Sequence, residues 1–267
     1  MTEPITPRSG DPNWIDLATT DADASIAFYT ELFGWTAVRD ANFGGYITFS
    51  NRGKPIAGGI QVPADTEGAR PQWTVYLHSD DARATVEAAE AHGGSVAVAP
   101  ADVGELGVFA VLTDSAGVGV GVWQPKIHRG FEARGYVADG VWSDHDGNPS
   151  WFELHTRGYR DSLEFYREVY GWQDPFTIGD TPEFRYTTIH STSPMLGGVM
   201  DATAFLPEGV PGYWSVYFGA DDVDATVRKL ESLGGTVLHP AENTTYGRIV
   251  AVTDPQGARF SIGGNKQ

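Results

Sequence analysis

The chain repeats itself, and no other feature limits its possible folds as much. Residues 12–17, PNWIDL, return as PSWFEL at 149–154, and ASIAFYTELFGW at 24–35 returns as DSLEFYREVYGW at 161–172, both at an offset of 137. WTVYLHSDD at 73–81 returns as WSVYFGADD at 214–222, and LGVFAVLTDSAG at 106–117 returns as YGRIVAVTDPQG at 246–257, at offsets of 141 and 140. The Gly93-Gly94 pair recurs as Gly234-Gly235. Such a period is too long for a solenoid and marks a duplicated domain. The expected division is one domain over 1–124, a linker over 125–148 and a second domain over 149–267. With 267 residues, 41% of them hydrophobic, the chain has enough apolar material for two cores.

Each copy carries a fainter internal rhythm. At 13–19, Trp14, Asp16 and Ala18 alternate with Ile15 and Leu17, the period of a strand. At 23–35, Ile26, Phe28, Tyr29, Leu32 and Phe33 recur at helical spacing, and Gly34 is a natural stop. β-rich runs follow at 46–50 and 56–62. The pattern then starts again: a strand at 72–78, a helix at 82–92 closed by Gly93-Gly94, and strands at 108–113 and 119–123. This predicts an α+β chain of four βαβββ modules. The helix covers one face of each sheet, and the open faces pair into two half-open cups.

Charge and composition exclude several partners. The chain has 18 Lys and Arg against 35 Asp and Glu, a net charge of −17, which repels phosphate backbones and anionic headgroups. We therefore expect neither a nucleic acid nor a membrane partner. The absence of Cys removes disulfides, thiolate nucleophiles and thiolate metal ligands. The first residues, MTEPITPRSGDPNW, lack the apolar core of a signal peptide, and no long apolar run spans a bilayer. The expected location is the cytoplasm, as a monomer or homodimer.

A short strand leads into Asp21, Ser25-Ile26, Phe28-Tyr29 and Phe33-Gly34-Trp35. A Thr113-Asp114…Gly117 turn, repeated as Thr253-Asp254-Pro255…Gly257, then precedes a last strand. In these features the chain resembles the vicinal oxygen chelate superfamily, which includes glyoxalase I, bleomycin-resistance proteins and extradiol dioxygenases. The likeness extends over about 12–124 and 149–263, and is nearest to two-domain glyoxalase-like proteins of actinobacteria. The resemblance implies a metal in the cup, held by His, Gln or Glu at the starts of strands 1 and 5 and Glu or a similar residue in strands 4 and 8. Carried across by position, those places fall on Trp14 and Trp151, on Thr74 and Ser215, and on Gly121 and Ser261. The strand-4 place lies within 57–60 and 196–199, which contain no ligand type. Indole, hydroxyl and hydrogen cannot coordinate a divalent cation, so no metal and no cofactor are expected.

If Trp14 and Trp151 face inward, so do Asp16, Glu153 and His155. A carboxyl beneath an indole has its pKa raised by desolvation, which suits acid–base work. The candidate catalytic residues are thus Glu153 with His155, together with Asp16 and Tyr217. The alternative is that both carboxylates accept hydrogen bonds that hold the strands in place. Trp14 and Trp151 would form aromatic floors, with Tyr46, Phe49, Tyr186 and Tyr217 as walls and Thr74, Tyr76, His78, Ser215 and Ser261 completing the ligand contacts. The bland reading is that the indoles plug the cups. Trp35, Trp172, Trp73 and Trp214 read as core, and His92, His128 and His239 as solvated. His145 sits among Asp139, Asp144 and Asp146, a polar loop that could bind a metal adventitiously, and His190 could reach a cup rim. The Gly-Gly pairs at 58–59 and 197–198 read as strand bends or as room for a ligand near the backbone.

The function expected is binding of a small, largely planar organic molecule without a metal. The alternative is a metal-independent lyase, isomerase or hydroxylase-like enzyme using Glu153 with His155 and Tyr217. Metal-dependent glyoxalase I stands third.

Overall fold

The computed structural model describes residues 7–63, 70–172, 175–190 and 195–266. In the first half, β1 (Pro12–Thr19), α1 (Ala22–Phe33), β2 (Thr36–Asp40), β3 (Tyr46–Asn51) and β4 (Lys54–Gln61) form one βαβββ module. β5 (Gln72–His78), α2 (Ala82–Ala91), β6 (Ser95–Val103), β7 (Gly107–Thr113) and β8 (Gly119–Pro125) form the next. A short hairpin follows, β9 (Tyr136–Ala138) and β10 (Val141–Ser143). The second half repeats the plan with β11 (Pro149–Thr156), α3 (Tyr159–Tyr170), β12 (Phe176–Thr181), β13 (Phe184–Thr188) and β14 (Gly197–Asp201). It ends with β15 (Tyr213–Gly219), α4 (Val223–Ser232), β16 (Thr236–Thr244), β17 (Gly247–Thr253) and β18 (Arg259–Gly264). No described helix is long and apolar enough to cross a membrane.

Each half closes one eight-stranded sheet, ordered β2-β3-β4-β1-β5-β8-β7-β6 and β12-β13-β14-β11-β15-β18-β17-β16. The modules pair within each copy, and among the described residues none pairs across copies. In the first copy β1 and β5 run antiparallel at the centre, with Trp14 opposite Tyr76 and Asp16 opposite Thr74. Trp151 likewise faces Tyr217, and Glu153 faces Ser215. The edge strands β2 and β6 were not legible as separate runs, because exposed and half-buried residues mix along both. Asp side chains cap α1, α2 and α4 at Asp21, Asp81 and Asp222, each worth about 1 kcal/mol. The Gly pairs end α2 and α4 because Gly93 and Gly234 take φ of +85° and +88°, open to glycine without strain.

The helix-covered faces of the two sheets share one core. Ile15, Leu17, Phe28 and Trp35 from the first half join Phe152, Trp214, Phe218 and Phe260 from the second. All four tryptophans read as core (Trp35, Trp73, Trp172 and Trp214) are buried there. The Thr-Asp turns lock the halves reciprocally. Asp254 accepts from the Tyr29 phenol of α1 at 3.1 Å, while Asp114 accepts from Ser162 of α3 at 3.0 Å. Burial raises both carboxyl pKa values. With the helices turned inward, the concave faces of both sheets point away from the shared core.

Candidate functional site

Strand alternation decides which side chains enter the cups. On β1, Ile15 and Leu17 are buried in the shared core, so Trp14 and Asp16 point to the concave face. There the first cup holds a cavity of ≈ 610 Å³, within the range of small-molecule sites. Trp14, Phe43, Phe109 and Trp123 give it aromatic walls, and Val103 and Leu106 add aliphatic surface. Its polar lining is Asp16, Asp40, Tyr46, Thr48, Tyr76 and His128.

The floor is a hydrogen-bonded cluster around one carboxylate. Tyr46 donates its phenol proton to Asp16 Oδ1 at 2.6 Å, and Trp14 Nε1 lies 3.1 Å from the same oxygen and 3.0 Å from the Tyr46 hydroxyl. Tyr76 donates to Asp16 as well. Burial pushes the Asp16 carboxyl up and the three donors pull it only part of the way back, which leaves it at about 6. The phenols of Tyr46 and Tyr76 titrate well above their usual value because they are buried beside that carboxylate. At neutral pH the cluster therefore has one group able to exchange a proton and two that keep theirs.

Glycines make room for these rings. A Cβ at Gly58 would lie 1.7 Å from the Tyr46 phenol oxygen and 2.1 Å from Asp16 Oδ1, and one at Gly121 would lie 2.3 Å from the Tyr76 ring. Gly198 is blocked in the same way by the Tyr186 ring at 2.5 Å. The Gly-Gly pairs thus serve close approach by the protein's own phenols.

The second cup rebuilds the cluster with a changed charge balance. Tyr186 and Tyr217 donate to the two oxygens of Glu153 at 2.7 and 2.8 Å, and Trp151 Nε1 donates to the Tyr186 hydroxyl at 3.1 Å. His155 Nε2 adds an ion pair to Glu153 Oε1 at 2.9 Å and stacks on Tyr213. Burial alone would raise the Glu153 carboxyl, but His155 and the phenols bring it below its usual value. Ser215 and Ser261 lie 3.3 Å apart beside this cluster. The hairpin β9–β10 packs against it, with Val137 and Trp142 on Tyr217, Trp151 and Ile249.

Several expectations need correction. Phe49 is not a cup wall: it lies in the shared core against Tyr29 and Trp35, because β3 turns Tyr46 and Thr48 to the cup and alternates Phe49 away. His78 does not line the cavity and sits 3.2 Å from Asp80 at the end of β5. His128 is not solvated: its ring meets Trp14 edge-on at 4.4 Å between centroids, and burial lowers its pKa to about 4. His239 lies exposed on β16 and not in a loop, and His92 is exposed at the end of α2. His145 is buried 3.4 Å from Asp221, and His190 pairs with Asp11 at 2.5 Å. Strand alternation also places Phe109 and Trp123 on the concave face, where both line the cavity. Asp40, Phe43 and His128 carried no signal, since they lie on an edge strand, a turn and the linker.

The sequence profile of the Glyoxalase/Bleomycin resistance protein/Dioxygenase superfamily matches residues 12–122 and 148–262. The chain belongs to this superfamily. Anthracycline biosynthesis protein DnrV of Streptomyces peucetius is 37% identical over 95% of this chain and 92% of its own. The protein CFP32 of Mycobacterium tuberculosis (strain CDC 1551 / Oshkosh), whose name carries a provisional glyoxylase assignment, is 35% identical over 96% and 95%. Among solved structures, the Mn(II)-bound glyoxalase from Novosphingobium aromaticivorans aligns with a TM-score of 0.63 at 17% identity, covering 97% of this chain and 83% of that one. The last likeness speaks for the fold.

The superfamily's metal does not fit these residues. Its strand-1 places hold indoles, its strand-5 places Thr74 and Ser215, and its strand-8 places Gly121 and Ser261. The space at Gly121 and Gly58 is taken by tyrosine rings. Among the described residues no group of three or more His, Asp or Glu stands ready to share an ion, whereas a catalytic site needs about three protein donors.

Proposed function

We propose that this glyoxalase-superfamily protein binds a small, largely planar organic molecule in its first cup, without a metal. One observation carries the proposal: a cavity of ≈ 610 Å³ with four aromatic walls opens onto a single hydrogen-bonding cluster at Asp16. Flat apolar walls hold a ring system by stacking and burial, and a few fixed polar groups at one end orient it. The Tyr46–Asp16–Tyr76 cluster suits the carbonyl or phenol edge of such a ring. Relatives named for anthracycline biosynthesis agree with this class, since anthracyclines are built on a flat fused-ring system. Each sheet completes its cup from one copy of the repeat, so a monomer suffices.

Trp14→Ala should weaken a fused-ring ligand about five- to tenfold, from lost stacking worth ~1–1.5 kcal/mol, while Trp151→Ala should leave the affinity within about twofold. Calorimetric titration of both variants decides, and the reverse pattern would move the site to the second cup. Stoichiometric Mn, Fe, Ni or Zn in elemental analysis of the purified protein would overturn the metal-free reading.

A second reading, a metal-independent lyase or isomerase, is favoured by the Asp16 carboxyl lying at about 6 inside the cavity, near the optimum for proton transfer at neutral pH. That role falls to Asp16 more than to Glu153, whose oxygens are held by two phenols and His155. Turnover with an inflection near pH 6, lost in Asp16→Asn, is its signature.

A further inference from the structure

The first cup has a sign as well as a shape. Its lining contains two carboxylates, Asp16 and Asp40, and no Lys or Arg. Its single histidine, His128, is held neutral at pH 7 by burial. Among the described residues no cation therefore faces the carboxylates from within the cavity. The two acids also stand at different depths. Asp16 lies on the central strand β1, whereas Asp40 ends the edge strand β2 and caps the turn 41–43, its Oδ1 accepting from the Asn42 N–H at 2.8 Å. Asp16 is occupied by Trp14, Tyr46 and Tyr76. Asp40 is half-buried and keeps acceptor capacity beyond its one bond. Phe43, 43% exposed, lines the same end of the cavity, and an aromatic face beside a carboxylate suits an organic cation.

We propose that the ligand is a fused-ring molecule carrying a basic nitrogen. The flat body lies against the aromatic walls of the cavity, its polar edge meets the Tyr46–Asp16–Tyr76 cluster, and its ammonium or protonated ring nitrogen sits at Asp40 beside Phe43. This inference rests on the aromatic-cup reading and adds the charge of the ligand to it. Anionic conjugates face two unopposed carboxylates in a chain of net charge −17, so carboxylate- or phosphate-bearing substrates are selected against before contact.

Three probes of the same ring count separate shape from charge: proflavine (cationic), acridone (neutral) and anthraquinone-2-sulfonate (anionic), titrated calorimetrically into the whole protein at low salt. Proflavine should bind about tenfold tighter than acridone, and the sulfonate weaker than both. Asp40→Asn should remove most of the proflavine advantage and leave acridone unchanged. Added salt should likewise compress the proflavine–acridone difference. Equal binding of all three, or a preference for the sulfonate, overturns the charge inference and leaves the aromatic cup standing. An unchanged proflavine affinity in Asp40→Asn removes Asp40 from the site. Failure of all three probes to bind overturns both this inference and the reading on which it rests.

Discussion

The two cups share one frame and differ in what opposes the carboxylate. In the first, Asp16 answers only to Trp14, Tyr46 and Tyr76, and its carboxyl rises to about 6. In the second, the equivalent acid is one methylene longer and has His155 at 2.9 Å, where the first cup has Ala18, so it falls below its usual value. The wrapping differs too. Trp123 of β8 stands over Gly107 in the first cup, whereas Gly263 takes the equivalent place in the second and Trp142 of the linker hairpin covers Gly247 and Gly263. One indole comes from the sheet, the other from the linker. Duplication supplied two similar frames. The second spends its acid on an internal ion pair beneath the hairpin, and the first keeps a cavity above a carboxyl with no cationic partner.

If that contrast is correct, the largest effect belongs to the second cup. Glu153→Ala removes the acceptor of two buried phenols and the partner of His155. Breaking a buried pair from one side costs about 3–5 kcal/mol, so urea denaturation should show a loss of that size. Ligand affinity in the first cup should stay within about twofold in the fraction that remains folded. A loss below about 1 kcal/mol would mean that Glu153 is not a structural anchor and would return the catalytic role to it.

Gly58→Ala sharpens the contrast from the other side. The new methyl would displace the Tyr46 phenol or Asp16, and overpacking of this kind costs about 1–3 kcal/mol. Here binding should suffer along with stability, because the displaced groups line the cavity. Affinity for a fused-ring ligand should fall about tenfold by calorimetry. An unchanged affinity would separate the Tyr46–Asp16 cluster from the ligand.

Which parts of this contrast the sequence revealed follows from what repeats. The modules, the central strands and the facing of Trp14, Asp16, Trp151 and Glu153 were legible, because alternation and duplicated motifs record them twice. Phe49 faces away from Tyr46 because three residues along a strand reverse the direction of a side chain, so aromatic type alone does not place it in the cup. His128, Trp142 and the hairpin had no counterpart to be aligned with, so nothing in the pattern placed them beside a cup. His155 was noticed, but its stacking on Tyr213 and its grip on Glu153 depend on the packing of β11 against β15. The sequence holds indole, hydroxyl and glycine at the places that the resemblance implies for the superfamily's ligands. It does not show that tyrosines from neighbouring strands fill those places, since that depends on the space left at Gly58, Gly121 and Gly198.

The smallest effect is a pH dependence, and it has opposite signs in the two cups. Asp16 has a folded-state pKa of about 6 against the usual 3.8. The folded protein therefore binds that proton more tightly than the unfolded chain. The resulting stabilisation is full below about pH 4 and is lost as pH rises through 6. Between pH 5 and pH 8 the loss comes to about 1–1.5 kcal/mol. Asp16→Asn cannot titrate, so wild type should lose that much relative to the variant over this window in urea denaturation. Glu153, with its folded-state pKa lowered, works the other way: its stabilisation is present above the usual carboxyl range and disappears only in more acidic solution. Wild type and Asp16→Asn running parallel from pH 5 to 8 would mean that Asp16 stays ionised like Glu153, and the difference between the cups would reduce to shape alone.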